Sequence, residues 1–126
     1  MVNVLTWITE ANAALFVLGA VLHAGVAIGP LHEPRIELAA IVEATCGAAL
    51  VYAARALFQR TTAARRVTMI SNMIALGGVI LGLVALAVGA GPRTATNDLY
   101  HRLMLTAIGA SFLLLFISRA RVRARG

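Results

Sequence analysis

The sequence has 126 residues, of which 60% are hydrophobic and only 13% are charged. A water-soluble domain of this length would need a more polar surface, so the mean hydropathy of +0.87 predicts a membrane protein. The net charge of +6 would suggest nucleic-acid binding in a soluble protein. In a membrane chain the distribution of the basic residues explains this charge, and no nucleic-acid partner is predicted. The single cysteine, Cys46, excludes an internal disulfide.

Four apolar segments approach the length of about 20 residues that a helix needs to cross a bilayer. They are rich in Ala, Leu, Val and Gly and lack the alternating pattern of a membrane β-barrel. The sequence therefore predicts an all-α, polytopic membrane protein that forms one domain, an antiparallel four-helix transmembrane bundle. The predicted spans cover residues 7–28, 36–58, 67–88 and 100–118, and residues 119–126 form an arginine-rich cytoplasmic tail.

The first span contains an ionisable residue, His23, late in an apolar run. Trp7 stands where an interfacial anchor is expected. The residues before the span include no basic residue, which argues against a cleaved signal peptide. A short connection with Pro30 and Pro34 follows, and Glu33 and Glu37 flank the start of the second span, where acidic groups favour a helix N-terminus.

The second span contains Glu43, which is the counterpart of His23. Small residues lie four positions before and after each of the two ionisable residues, and small residues mark helix–helix contacts in membranes. Both side chains are therefore predicted to face neighbouring helices, at a similar depth, where they can contact each other. The small residues are Gly19 and Ala27 in the first span and Ala39 and Gly47 in the second.

The third span follows a basic loop and carries a row of small residues at spacings of three and four. Such a row predicts close packing against a neighbouring helix, and its period near 3.5 favours a left-handed bundle. We call this row the packing seam. Its members are Ser71, Ala75, Gly78, Gly82, Ala85 and Gly89.

The fourth span is preceded by a polar loop with a predicted helix cap at Thr96, Asn97 or Asp98. Tyr100 at its head is typical of an aromatic belt, and His101 follows directly.

Arginine is the only basic residue apart from histidine, and its distribution predicts the topology. With four spans, the N-terminus, the second loop and the C-terminus share one side of the membrane, and that side holds most of the arginines. The positive-inside rule then places both termini in the cytoplasm of a bacterial inner membrane. The arginines on this side are Arg55, Arg60, Arg65, Arg66, Arg119, Arg121, Arg123 and Arg125, and those on the other side are Arg35, Arg93 and Arg102.

Ionisable residues at membrane depth are costly, and they are candidates for function. His23 and Glu43, together with Glu37 and His101, form the predicted ligand-binding or proton-relay site on the outer side. A quinone is a candidate ligand, because a His–Glu pair can hydrogen-bond a buried carbonyl. The alternative is that the pair only holds two helices together.

The three histidines, His23, His32 and His101, are weak candidates for a metal site. Their spacing matches no metal-binding motif. Haem would need two axial ligands at similar depth, and His23 and His101 are predicted to differ in depth. Neither metal nor haem is therefore predicted. The sequence contains no phosphate-binding glycine loop, no Ser/His/Asp set and no CxxC pair, so it predicts neither a catalytic residue nor an enzyme.

Three segments of the first half resemble the DoxX-like small four-helix membrane proteins of bacteria. They are GAVLHAGVA late in the first span, the turn GPLHEPRIE, and the second span AAIVEATCGAALVYAA. The resemblance implies a four-helix bundle associated with quinone-linked or redox systems, and it assigns no catalytic residue.

Three functions remain open from the sequence. The first is a small-molecule-binding or accessory protein with the outer-side His/Glu pocket. The second is a small proton-coupled transporter or exporter that works as a dimer. The third is a structural subunit of a larger membrane complex. Each of these functions would be carried out within the lipid bilayer. The expected assembly is a homo-oligomer or a larger membrane complex.

Overall fold

The fold is known from a computed structural model that describes the backbone of residues 2–91 and 93–123 and the side chains of residues 4–91 and 93–117. It consists of four helices: α1 (Val2–His23), α2 (Glu37–Phe58), α3 (Ala64–Ala87) and α4 (Ala95–Arg123). Within the described residues, Ile28 and Leu31 of the first loop form an isolated β-bridge that belongs to no strand. The prediction of an all-α, four-helix protein is confirmed.

Each helix contains a segment long and apolar enough to cross a membrane. Large apolar side chains such as Trp7, Leu38 and Phe58 lie exposed around the bundle. A surface of this kind is suited to lipid rather than to water. The segments are Val4–His23, Glu37–Phe58, Ala64–Ala87 and Ala95–Ile117.

The end of α1 differs from the sequence prediction, which extended the first span to residue 28. The helix ends at His23, because Gly25 adopts a left-handed conformation with φ of 91°. The N–H of Gly25 donates to the carbonyl of Leu22, and that of Val26 donates to the carbonyl of Val21. This Schellman ending satisfies the last carbonyls of the helix. His23 therefore lies at the end of α1 and not within it.

α2 and α3 end in the same way. The left-handed residue is Arg60 after α2, with φ of 52°, and Gly89 after α3, with φ of 74°. Thr61 N–H donates to the carbonyl of Ala56 across the first of these turns. Glycine adopts this conformation without steric cost, whereas arginine does so only with strain.

α4 begins earlier and ends later than predicted. Its cap is Thr94, whose Oγ1 accepts a hydrogen bond of 3.0 Å from the Asn97 N–H, and the predicted caps at Thr96, Asn97 and Asp98 lie inside the helix. Tyr100 is consequently in the second turn of α4. The helix continues to Arg123, so the first part of the predicted tail 119–126 is helical, and residues 124–126 lie outside the described residues.

The helices form a ring in which each contacts its neighbours in the chain and α4 also contacts α1. α1 and α2 form the most extensive pair, and α4 is held more loosely. Phe16, Leu50, Val79, Met104 and Ile108 fill the centre, one or more from each helix. A second apolar cluster lies near the start of α1 and the end of α2.

The predicted packing seam divides along α3. Ser71 and Ala75 are buried, and Gly78 faces the Sγ atom of Cys46 on α2. Gly82 faces the ring of His101 on α4. Ala85 is partly buried, and Gly89 lies beyond the end of α3, where no other atom comes within 4 Å of the position of a Cβ. The seam therefore serves two neighbours, α2 and α4, rather than one.

Candidate functional site

His23 and Glu43 are in direct contact. His23 Nδ1 lies 2.8 Å from Glu43 Oε2, and the two residues are only 4% and 6% exposed. The backbone supports this contact, because Ile36 N–H donates to the His23 carbonyl and so ties the start of α2 to the end of α1. A carboxylate only accepts hydrogen bonds, so Nδ1 carries the proton and Nε2 is the ring nitrogen left for another partner.

The Tyr100 hydroxyl of α4 lies next to this pair, on the side of α1 where Gly19 has no side chain. A Cβ atom at position 19 would lie 2.7 Å from the Tyr100 hydroxyl oxygen and 2.9 Å from Glu43 Oε1. The hydroxyl and the carboxylate thus meet over a glycine that leaves room for both. The Tyr100 hydroxyl is buried and has no hydrogen-bond partner among the described residues.

His101 and Asn97 lie one turn apart on α4, facing α3. His101 Nδ1 lies 2.9 Å from the Asn97 carbonyl oxygen, and His101 is 7% exposed. Since a carbonyl accepts only, Nδ1 donates, and in the neutral ring Nε2 is an acceptor. The Asn97 side chain is 5% exposed, and its Oδ1 has no hydrogen-bond partner in the described chain.

A cavity of about 200 Å³ lies between α2, α3 and α4, next to the end of α1, and Tyr100 is not part of its lining. His23, Glu43, Asn97 and His101 supply its ionisable and amide side chains. The rest of the lining is apolar or glycine: Ile36, Leu38, Ala39, Val42, Gly78, Leu81, Gly82, Ala85, Leu86, Ala90 and Gly91.

The mouth of the cavity opens on the side of the bundle. Leu38 of α2 and Leu81 of α3 border the cavity and are 70% and 53% exposed. Exposed apolar side chains of α2 and α3 therefore border the cavity. Ligand sites for drug-sized molecules measure about 300–1,000 Å³, so a cavity of about 200 Å³ encloses a head group or a single ring.

A second contact holds α4 in its position next to the cavity. Thr94 Oγ1 lies 2.8 Å and 2.9 Å from the two carboxylate oxygens of Glu33, which is buried in the first loop. The same Thr94 oxygen caps α4. The first loop is thus attached to the turn of α4 that carries Asn97.

Glu37 of the predicted site and the weak metal candidate His32 lie elsewhere. Glu37 is exposed and pairs with Arg35 on the surface at 2.7 Å, and it does not line the cavity. His32 is exposed in the first loop. His101, by contrast, lines the same cavity as His23. Within residues 2–91 and 93–123, no three His, Cys, Asp or Glu side chains are grouped closely enough to hold a metal ion.

Sequence reasoning missed the contributions of Tyr100, Asn97 and Glu33. Tyr100 was interpreted as an interfacial aromatic, and the other two as helix-end residues. The available signal was the spacing of Asn97, Tyr100, His101 and Met104, which places all four on one face of a helix. The burial of Met104 shows that this face is directed inward.

A separate polar layer lies on the other side of the apolar centre. Asn12 Nδ2 of α1 donates to Ser111 Oγ of α4 at 3.1 Å, and both residues are buried. Asn72 of α3 is also buried, and its Oδ1 has no hydrogen-bond partner in the described part of the chain. Phe16, four residues after Asn12, belongs to the apolar cluster between this layer and the cavity.

No family model, curated protein or solved structure matches this chain.

Proposed function

We propose that the protein is a membrane protein that binds a small amphiphilic molecule in the cavity between α2, α3 and α4. The observation that carries the proposal is Asn97 Oδ1, a buried acceptor without a partner in the described residues, next to a cavity that also contains His23, Glu43 and His101. An unsatisfied buried polar group costs about 1–3 kcal/mol, and a ligand in this cavity would remove that cost.

The hydrogen-bonding character of the cavity indicates the chemistry of the ligand. His101 Nε2 and Asn97 Oδ1 are acceptors, and Glu43 is an acceptor when ionised. A head group with hydroxyl donors satisfies these acceptors, whereas a quinone carbonyl could accept only from the Asn97 amide N–H groups and would leave the acceptors unpaired. Among quinone-linked ligands, the structure therefore favours the reduced form, a quinol. The resemblance of the first half to DoxX-like proteins also favours a quinone-linked role.

The membrane supplies the remaining part of the binding site. The cavity is large enough for the ring of a quinol, and its apolar tail would leave between Leu38 and Leu81 into the lipid. In this arrangement the four helices cross a bacterial inner membrane in alternating directions. The excess of arginines on the side of the second loop supports an orientation with both termini in the cytoplasm and the cavity near the outer face.

A proton-coupled transporter has less support. Such a protein needs a polar pathway across the membrane. Here the apolar cluster around Phe16, Val79 and Ile108 separates the cavity from the polar layer of Asn12 and Ser111. The accessory role in a larger complex remains compatible with ligand binding.

Thermal unfolding of the purified protein in mild detergent tests the proposal. The probes are a short-chain benzoquinol and its dimethyl ether, which has the same ring and tail but no hydroxyl donors. At 100 times its Kd, a ligand specific for the folded state stabilises that state by about 2.7 kcal/mol. We expect this stabilisation from the quinol and little from the ether.

Variants provide the control for specificity. His101→Leu removes an acceptor in the cavity, whereas His32→Leu changes an exposed histidine of the first loop. The quinol should lose its effect on the first variant and keep it on the second. Equal stabilisation by quinol and ether, or no stabilisation by either, would contradict the proposed ligand class.

A further inference from the structure

A second depression lies on the exposed surface of α1 and α2, away from the cavity between α2, α3 and α4 (the quinol cavity). It is a shallow groove of about 700 Å³. We call it the α1–α2 groove. Its lining consists of Val17, Ala20, Val21, Ala24, Ala40, Ile41, Ala44, Ala48, Val51, Tyr52 and Arg55.

The groove has an apolar body and one polar end. Two rows of alanines form its floor, Ala20 and Ala24 on one side and Ala40, Ala44 and Ala48 on the other. Each row has a spacing of four, so its members lie one above the other on a helical surface. Both polar residues, Tyr52 and Arg55, are at the end where α2 approaches the second loop.

Arg55 gives this end a positive charge that is not neutralised. It is exposed, and its guanidinium has no ion pair or hydrogen bond among the described residues. Tyr52 is three residues away on the same face and is also exposed. The polar end is therefore complementary to an anion.

The length of the groove corresponds to a lipid chain. Ala40 and Arg55 are separated by 15 positions in α2, or about 22 Å at about 1.5 Å per residue. One leaflet contributes about half of a hydrocarbon core of about 30 Å. An acyl chain that starts at Arg55 can therefore lie within the groove over the whole depth of its leaflet.

We infer that the α1–α2 groove binds an anionic phospholipid, with its phosphate on Arg55 and Tyr52 and one acyl chain along the alanine rows. Arginine binds phosphate through two parallel hydrogen bonds, and the tyrosine hydroxyl supplies a further donor. This inference depends on the proposed membrane placement but not on the quinol cavity.

A second copy of the chain is a poorer occupant of this groove. Two copies inserted in the same direction and related by a two-fold axis would place their Arg55 side chains at the same depth in a shared interface. The two guanidinium groups would then repel each other across the interface. A phospholipid supplies the opposite charge instead.

Native mass spectrometry of the full chain tests the inference. The protein is exchanged into mild detergent with equal amounts of phosphatidylglycerol and phosphatidylcholine that have the same acyl chains. The wild-type protein should retain phosphatidylglycerol in preference. Arg55→Gln should reduce this preference about fivefold, because both lipids carry a phosphate and only the net charge of the head group, which the positive charge of Arg55 attracts, distinguishes them.

Two further variants separate the parts of the site. Ala44→Leu places a large side chain in the groove, and because Ala44 is exposed the change does not enter the core, so retention of both lipids should fall. Arg66→Gln removes an exposed arginine from the same side but outside the groove, and it should behave as the wild type. An unchanged lipid ratio in Arg55→Gln overturns the inference. So does an Ala44→Leu protein that dissociates from dimer to monomer with its lipid unchanged, because a second copy would then fill the groove.

Alkaline extraction of membranes distinguishes this inference from the proposal on which it depends. If the wild-type protein is released from membranes at high pH, the membrane placement itself is refuted. If it remains in the membrane fraction but shows no preference for the anionic lipid, only the lipid site is refuted.

Discussion

Gly82 of α3 lies directly against the imidazole ring of His101, with no space for a side chain between the two helices. A Cβ atom at position 82 would overlap His101 Nε2, the nitrogen that faces α3. The closeness of α3 and α4 at the cavity therefore depends on this glycine.

Gly82→Ala is expected to displace His101 and to weaken quinol binding by about tenfold or more, since one well-made hydrogen bond in the site is worth about 1.4 kcal/mol. Gly77→Ala is the matched control, because position 77 is on the same helix and has no atom within 4 Å of its Cβ position. Quinol titrations followed by thermal unfolding measure both variants. Equal affinity in the two proteins would show that the ring of His101 is not part of the site.

The sequence was sufficient to predict the helices but not the composition of the cavity. Long apolar runs locate four helices, and the small residues around His23 and Glu43 correctly predict their contact. The end of α1 was missed because residues 26–28 are apolar and continue the pattern of a span, whereas the left-handed Gly25 ends the helix. Hydropathy carries no information about backbone conformation at a glycine.

The role of Tyr100 was missed for a different reason. A tyrosine near the head of a span has the same sequence context in an aromatic belt and in a buried cluster. The distinction depends on where α4 begins, and Thr94, as its cap, moves Tyr100 one turn into the helix. Loop contacts such as that of Glu33 with Thr94 join residues 61 positions apart, and no local pattern predicts them.

Thr94→Val is expected to destabilise the protein by about 1–3 kcal/mol, because it removes both the cap of α4 and the hydroxyl donor of the buried Glu33. Thr94→Ser keeps the hydroxyl and should remain close to the wild type. Hydrogen exchange of the first turn of α4 measures the effect, and faster exchange should appear in the valine variant alone. If the serine variant exchanges as fast as the valine variant, the methyl group of Thr94 rather than its hydroxyl holds the turn.

Arg60→Gly is expected to stabilise the protein by about 1 kcal/mol, because Arg60 occupies a left-handed conformation with φ of 52° that costs a residue with a Cβ about 1–2 kcal/mol. Arg60→Ala removes the same charge but retains the strain. The free energy of unfolding in mixed detergent should therefore rise in the glycine variant relative to the alanine variant. A gain of equal size in both would assign the effect to the positive charge and not to the backbone.

The contact between His23 and Glu43 requires a test that separates a functional pair from one that only joins two helices. Glu43→Leu leaves His23 buried without its partner and should cost about 1–3 kcal/mol, and His23→Leu should cost a similar amount through the unpaired carboxylate.

The double variant removes both polar groups, so it should be more stable than the sum of the single changes predicts, with a coupling energy of about 0.5–3 kcal/mol. Quinol binding decides the role of the pair. A double variant that folds as well as the wild type but no longer binds quinol shows that the pair belongs to the site, whereas a stable double variant with normal affinity shows that it only joins α1 to α2.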